Sequence, residues 1–250
     1  MTILILLEGN IKMIKLEHVV LASPEQMKFI IEGMRNPMNS WEKSDSGRCS
    51  SIHACDIHFD HCDKCIHSNK KIGGDFAIGD NDHSLMQCLA NAGTDHRKFM
   101  RMMPVYVRIT APLYWWKEFD TYRVGVTPNP MDIEMNSCST MHKIQEKEFT
   151  LEDFSCEHLI NTVSIEYLED TIKRLNWCRD NYLEDPRKDL WWQMIQLLPS
   201  SYNQTRNVMV NYEVLSNIYK SRKDHKLDCW RDFCAWVKTL PYQELITGGN

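Results

Sequence analysis

The densest set of side chains capable of chemistry lies between residues 49 and 67, where four cysteines and four histidines occur. Cys62 and Cys65 have the two-residue separation of one half of a zinc knuckle, and Cys49 and Cys55, or two of the histidines, would complete a tetrahedral site. Structural zinc contributes folding free energy, so a metal would explain how this unpatterned segment stays ordered. Three interpretations stay open: a zinc-dependent protein-interaction module, a loop of reduced thiols, and a Cys–His nucleophile pair.

The composition is ordinary for a globular protein. The chain has 250 residues, of which 43% are hydrophobic and 25% charged, so it can bury a large core and is not disordered. A net charge of −5 opposes a role in binding nucleic acid, whether non-specific or sequence-specific. The apolar run Met1–Leu7 is too short to cross a membrane and lacks the features of a signal peptide. Ten cysteines in such a chain predict a cytoplasmic protein, of a cell or of a virus-infected host.

Hydrophobic periodicity predicts a helix-rich α+β fold with a small antiparallel sheet, in a single domain of residues 1–250. Residues 44–82 form a Cys/His-rich insertion in it, and residues 123–145 read as a loop. Ser23 and Gln26 predict a capping box at the start of the first helix. Strands are expected at residues 13–21, 104–109 and around 208–210. Further helices are expected at 82–92, from 94, at 113–122, 165–182 and 191–198, after Asn211, and at 227–237.

The elements that would position a ligand are clearest in the C-terminal third of the chain. After Leu198-Pro199 comes an extended segment and then a helix. That helix opens with Asn211 and carries Asn217 and Arg222. An asparagine at this position is also the usual way to cap a helix.

Two further segments complete the pattern. Residues 96–123 run from a helix containing His96 through an alternating strand into a helix that ends with Thr121-Tyr122-Arg123. Residues 136–139 read Asn-Ser-Cys-Ser, similar to Asn-Glu-x-Ser. In this order and spacing the three segments, about half of the chain, resemble the flavin-dependent thymidylate synthases. The chain is therefore identified as a divergent ThyX-like protein, and a phage gene would suit it.

The resemblance implies a flavin, FAD, held over a pyrimidine nucleotide, with arginines on the phosphate because guanidinium pairs bidentately with phosphate oxygens. It also implies a homo-oligomer, a tetramer with its sites at subunit interfaces. It assigns cofactor binding to His96, Tyr122, Arg123, Asn211 and Asn217. It assigns catalysis to Ser137, Ser139 and Arg222.

The chain departs from that family at its arginines. The family has Arg-His-Arg where this chain has residues 121–123, and it has arginines where this chain has Ile195 and Glu213. Each lost contact to a charged group is worth about 1.5 to 3 kcal/mol, and Glu213 is expected to repel a phosphate. Lys143, Arg206 or a neighbouring subunit are the candidates to compensate.

Besides a zinc-dependent interaction module, two functions are hypotheses for this chain. The first is a nucleotide-binding protein on a ThyX-like scaffold that sequesters or senses a nucleotide and does not make thymidylate. The alternative is an enzyme, a flavin-dependent transferase or reductase that acts on a pyrimidine deoxynucleotide.

Overall fold

We describe the protein in a computed structural model. The structure describes residues 13–48, 71–72, 76–123, 133–137 and 142–248. Cys49, Cys55, Cys62, Cys65 and Ser139 lie outside these residues, so the predicted zinc site and the role of Ser139 stay predictions. None of the described helices is long and apolar enough to span a membrane.

The described part of the chain contains seven short strands and nine α-helices. The strands are β1 (Lys15–Leu21), β2 (Gly47–Arg48), β3 (Lys71–Ile72), β4 (Phe76–Ala77), β5 (Pro104–Pro112), β6 (Ile133–Ser137) and β7 (Asn203–Asn211). The α-helices are α1 (Pro24–Arg35), α2 (Asp80–Asn91), α3 (Lys98–Arg101), α4 (Leu113–Phe119), α5 (Thr162–Glu184), α6 (Lys188–Leu197), α7 (Tyr212–Arg222), α8 (Asp228–Val237) and α9 (Glu244–Thr247). The prediction of a helix-rich α+β fold with small antiparallel sheets is confirmed.

The strands form two sheets, ordered β1-β5-β7-β6 and β2-β4-β3. In the smaller sheet β4 pairs antiparallel with both neighbours. In the larger sheet the hydroxyls of Thr110 and Thr205 lie 2.8 Å apart, and Arg108 Nε donates to Asn207 Oδ1 at 3.1 Å. Residue numbers rise along β5 as they fall along β7, so these two strands also run antiparallel.

The chain divides into two compact units. The first comprises Met1–Lys15, Arg108–Val124 and Met135–Asn207, and the second comprises Leu16–Val107, Gly125–Glu134 and Val208–Asn250. The first unit is built around the hairpin of α5 and α6, whose buried residues include Leu175 and Met194. The second unit buries Trp230 and Phe233 of α8 and Leu215 of α7.

Several predicted boundaries are confirmed because their signals are local. Ser23 caps α1 in a full capping box with Gln26. The helix predicted from residue 94 begins only at Lys98, and the loop predicted for residues 123–145 contains strand β6. This strand was missed because its partner β7 lies about seventy residues further along the chain.

Two carboxylates connect the start of the predicted insertion to α2 by hydrogen bonds: Asp45 in the insertion and Asp82 in α2. Asp45 accepts hydrogen bonds from the amides of Asn81 at 2.9 Å and Asp82 at 3.1 Å, and so caps α2 from a distance. This cap is why α2 begins at Asp80 and not at the predicted Asp82. Gly79 lies so close to Asp45 that a Cβ atom on residue 79 would be only 2.4 Å from the Asp45 carbonyl oxygen.

Asp82 is buried and in turn accepts hydrogen bonds from the start of the insertion. It accepts from the hydroxyls of Ser44 at 2.8 Å and Ser46 at 2.6 Å, and from Arg35 Nε at 2.6 Å. Desolvation would raise the pKa of Asp82, but the hydrogen bonds from Ser46, Ser44 and Arg35 hold that pKa below its usual value. The carboxylate therefore stays charged at neutral pH.

Candidate functional site

The start of α7 carries a buried polar group that no described residue satisfies. Asn211 ends β7 and caps α7, with Oδ1 accepting from the amide of Val214 at 2.9 Å. Its Nδ2 is buried and has no hydrogen-bond partner within the described structure. An unmet buried donor costs about 1 to 3 kcal/mol, so a ligand atom or a water that accepts here would be stabilised.

Glu213, two residues further, does not stand as an isolated negative charge. Its carboxylate is buried and lies between two guanidinium groups. Arg101 Nε donates to Glu213 Oε2, and Arg97 Nε lies 3.4 Å from Oε1. The expectation that Glu213 repels a phosphate is therefore wrong, because its charge is already matched.

A third cation, Lys220, lies near Arg97. Burial together with the positive charge of Arg97 lowers the pKa of Lys220. Lys220 has no carboxylate partner among the described residues. We call Arg97, Arg101, Lys220 and Glu213 the α7 cluster. The side chains of these four residues together carry a formal charge of +2.

The α7 cluster also holds a second unpartnered donor. The 3.4 Å approach of Arg97 to Glu213 is an ion pair without a hydrogen bond, and Arg97 Nε is a buried atom with no hydrogen-bond partner in the described part of the chain. Asn217 lies four residues after Glu213 and three before Lys220, which places all three on one face of α7. Asn217 is exposed on that face.

The other predicted residues of the second unit occupy different settings. His96 is exposed in the turn that leads to α3, next to Arg97, and its amide donates to the Gly93 carbonyl at 3.1 Å. The guanidinium of Arg222 lies 4.9 Å from the ring centroid of Trp230, which is a cation–π contact. Arg222 therefore serves the packing of α7 on α8, and its catalytic role stays a prediction.

Three predicted residues belong to the first unit. Tyr122 and Arg123 lie in the 3₁₀ turn that follows α4, and Ser137 ends β6. Tyr122 is half-buried. Their predicted roles in cofactor binding and catalysis stay predictions.

Internal contacts engage both Arg206, a candidate to replace a missing arginine, and Ile195, where the family has an arginine. The guanidinium of Arg206 donates to Asp120 Oδ1 and Gln204 Oε1, each at 2.9 Å, and lies 4.3 Å from the ring centroid of Trp116. Ile195 packs against the apolar core of the first unit. These contacts favour structural roles for both residues.

Lys143 lines a cavity of about 400 Å³ in the first unit. Its Nζ lies 2.6 Å from Glu146 Oε1, and the lining also carries Lys147, Glu148 and Asp153. Three acidic and two basic groups line it, so this cavity has no excess of positive charge.

No group of three or more metal-ligating side chains occurs among the residues that the structure describes. Arg97, Arg101 and Lys220 were not predicted from the sequence. One signal was available: Lys220 follows Glu213 by seven residues, so these two share a face of α7.

Fold and site together define a helix-rich α+β protein with a cluster of three cations and one carboxylate along one helix. Two solved structures are similar to it. One is flavin-dependent thymidylate synthase ThyX from Helicobacter pylori complexed with FAD and dUMP, with a TM-score of 0.58 and 16% identity over 94% of this chain and 98% of that one. The other is ThyX from the same organism with FAD and dUMP, with a TM-score of 0.57 and 16% identity over 93% and 99%. At this identity the likeness shows the fold alone. No protein-family model and no curated protein sequence matches the chain.

Proposed function

We propose that this protein binds a nucleotide through the α7 cluster, on a ThyX-like scaffold, and does not make thymidylate. Two observations support the proposal: the α7 cluster carries a formal charge of +2, and the Asn211 amide that caps the same helix has a donor without a partner among the described residues. A phosphate would complement the charge of Arg97 and Lys220, and an acceptor on the ligand would satisfy Asn211 Nδ2.

The two similar structures support the ligand class. Both contain FAD and dUMP, and each of these molecules carries phosphate groups. Asn211 Nδ2 and Arg97 Nε have no hydrogen-bond partner among the described residues, and an oxygen of either molecule would be an acceptor for them. When bound, a flavin would supply hydride chemistry, while the residues described here would hold and orient its phosphate or that of the nucleotide.

The losses at residues 121, 122, 195 and 213 argue against thymidylate synthesis. The contacts of Arg206 argue against its taking the place of a missing arginine, since Asp120 and Gln204 already engage it. A site with fewer phosphate-binding arginines is suited to sequestering or sensing a nucleotide.

The alternative is a flavin-dependent transferase or reductase acting on a pyrimidine deoxynucleotide. The observation that favours it is the pairing of a flavin with a pyrimidine nucleotide in both similar structures. Purified protein that carries a flavin spectrum, bleached by a nicotinamide cofactor, would select this alternative. A colourless protein that releases a nucleotide on denaturation would select the first proposal.

Titration calorimetry with dUMP, and separately with FAD, tests the binding step in both cases. Lys220→Ala removes one cation and is expected to weaken binding roughly 10- to 100-fold, as for loss of one charged hydrogen bond. Lys223→Ala is the matched control, because Lys223 is an exposed lysine at the end of the same helix. Binding of neither compound, or equal affinities for the two variants, would refute the proposed site.

A further inference from the structure

The cavity of about 400 Å³ in the first unit has no part in the proposed nucleotide site. Its walls come from residues 143–149, from Asp153 in the short 3₁₀ helix Leu151–Asp153, and from Tyr202 with the first residues of β7. All of these residues belong to the first unit, and none belongs to the α7 cluster. The volume lies in the range of sites that bind small molecules, about 300 to 1,000 Å³.

One wall of the cavity carries a buried acceptor that lacks a donor. Asn203 opens β7, and its Oδ1 is buried with no hydrogen-bond partner among the described residues. Its neighbours are satisfied: Gln204 Oε1 accepts from Arg206 Nε at 2.9 Å, and the hydroxyls of Thr205 and Thr110 lie 2.8 Å apart. A buried acceptor without a donor is unfavourable, so a ligand that donates to Asn203 Oδ1 would be stabilised.

The cavity also carries a carboxylate that the fold holds in place. Asp153 Oδ2 accepts from the amide of Thr150 at 2.8 Å and from the hydroxyl of Thr150 at 3.1 Å. Both hydrogen bonds go to Oδ2, and no described residue donates to Oδ1. One oxygen therefore fixes the side chain, and the other is left to accept from a ligand.

The charges of the lining favour a cation. Lys143 Nζ and Glu146 Oε1 form an ion pair at 2.6 Å, and Lys147 and Glu148 are adjacent exposed residues of opposite sign. These four charges cancel formally, so Asp153 leaves the lining with a formal charge of −1. An anion would be repelled, whereas an ammonium group would be attracted and would bring donors for the two open acceptors.

Two aromatic rings in the lining suit the alkyl part of such a ligand. The rings of Phe149 and Tyr202 meet edge to face, with centroids 6.2 Å apart. Asn176 of α5 fixes the backbone of Phe149, because it accepts from the Phe149 amide and donates to the Phe149 carbonyl, each at 2.8 Å. Aromatic rings attract ammonium groups and pack against methylene groups, but they are not ligands of a hard metal ion. The lining therefore favours an organic cation over a metal ion.

We propose that this cavity binds an aliphatic diamine or polyamine. Its ammonium groups donate to Asp153 Oδ1 and Asn203 Oδ1, and its methylene chain packs against Phe149 and Tyr202. The fixed carboxylate and the unmet acceptor select the ammonium group, and the rings select the chain.

Titration calorimetry of the full chain with putrescine, at pH 7 and low salt, tests the site. We expect saturable binding with a dissociation constant of roughly 0.1 to 1 mM, as suits so small a ligand. Butanediol has the same carbon chain with hydroxyl groups in place of both ammonium groups. It should bind at least about tenfold more weakly, because it offers no charge to Asp153.

Two substitutions remove one acceptor property each. Asp153→Asn removes the charge but keeps an oxygen for Thr150, and Asn203→Leu removes the unmet acceptor. Each is expected to weaken putrescine binding about tenfold or more. Glu152→Gln is the matched control, because Glu152 is an exposed carboxylate outside the lining, and it should leave the affinity within about twofold.

A substitution that strengthens binding guards against loss of folding as the explanation. Lys147→Glu replaces an exposed cation of the lining by an anion, and it is expected to tighten putrescine binding about threefold or more. Lys220→Ala, which tests the α7 cluster, should leave putrescine binding unchanged, so this inference and the proposed nucleotide site fail separately.

No saturable binding up to roughly 10 mM putrescine would overturn the inference, as would equal binding of butanediol. So would an unchanged affinity in Asp153→Asn and Asn203→Leu, or displacement of putrescine by dUMP, which would assign the cavity to the nucleotide. Far-UV circular dichroism of every variant checks that the helix content is kept.

Discussion

Replacing Asp82 by asparagine tests how much the buried ion pair between Asp82 and Arg35 stabilises the second unit. Asp82 is fully buried, and its partner Arg35 is 4% exposed, so this ion pair is shielded from water. Asparagine keeps the shape of the side chain but removes the charge and one acceptor. The guanidinium of Arg35 would then be buried without its counter-ion.

The expected cost follows from these contacts. Breaking a buried ion pair by removing one partner costs about 3 to 5 kcal/mol. Arg35 keeps its hydrogen bonds to the Ser40 carbonyl at 3.3 Å and the Ser40 hydroxyl at 3.2 Å, so we expect the lower end of that range. A loss of about 3 kcal/mol corresponds to a change of roughly 100-fold in an equilibrium constant.

Hydrogen exchange of α1 and α2, followed by mass spectrometry, measures this loss where it occurs. Amides that exchange through opening of the second unit should do so roughly 100-fold faster in Asp82→Asn. Asp228→Asn is the matched control, because Asp228 pairs with Arg231 near the surface of the same unit. Its effect should stay below about 1 kcal/mol. If both variants exchange at the same rate, the buried pair does not stabilise the unit as argued.

Three further predictions concern single side chains. Because the pKa of Asp82 is lowered in the folded protein from its ordinary value of 3.8, its contribution to stability is present above that value. It is lost as the pH falls through the lower folded pKa, so urea unfolding at pH 7 and pH 3 should show a smaller pH dependence in Asp82→Asn. Asn211→Asp keeps an oxygen to cap α7 but removes the amide donor, so calorimetry should show nucleotide binding weakened about tenfold or more, and circular dichroism should show helix content unchanged. Tyr212→Phe removes the hydrogen bond that the buried Tyr212 hydroxyl donates to the Pro241 carbonyl at 2.7 Å, and urea unfolding should report a loss of about 1 to 2 kcal/mol.

At the start of α7, the sequence predicted the helix cap but not the partners of Glu213. Asn211 was predicted to cap a helix and does so, because the cap and the amide it accepts from are only three residues apart. Glu213 was expected to repel a phosphate, and this was wrong, because the cations that match it come from residues 97 and 101. More than a hundred residues of chain separate them from Glu213, and no local pattern joins the two segments.

The same division holds across the fold. The sequence alone determined the capping box at Ser23, the Asn211 cap, the end of α5 before Pro186 and the helix-rich α+β class, since these depend on residues within one or two turns. Tertiary structure decided that β6 is a strand, that Asp45 caps α2 and that Ile195 belongs to a core. Each of these depends on a partner distant in the chain, and only packing brings such partners within the few ångströms over which hydrogen bonds and van der Waals contacts act.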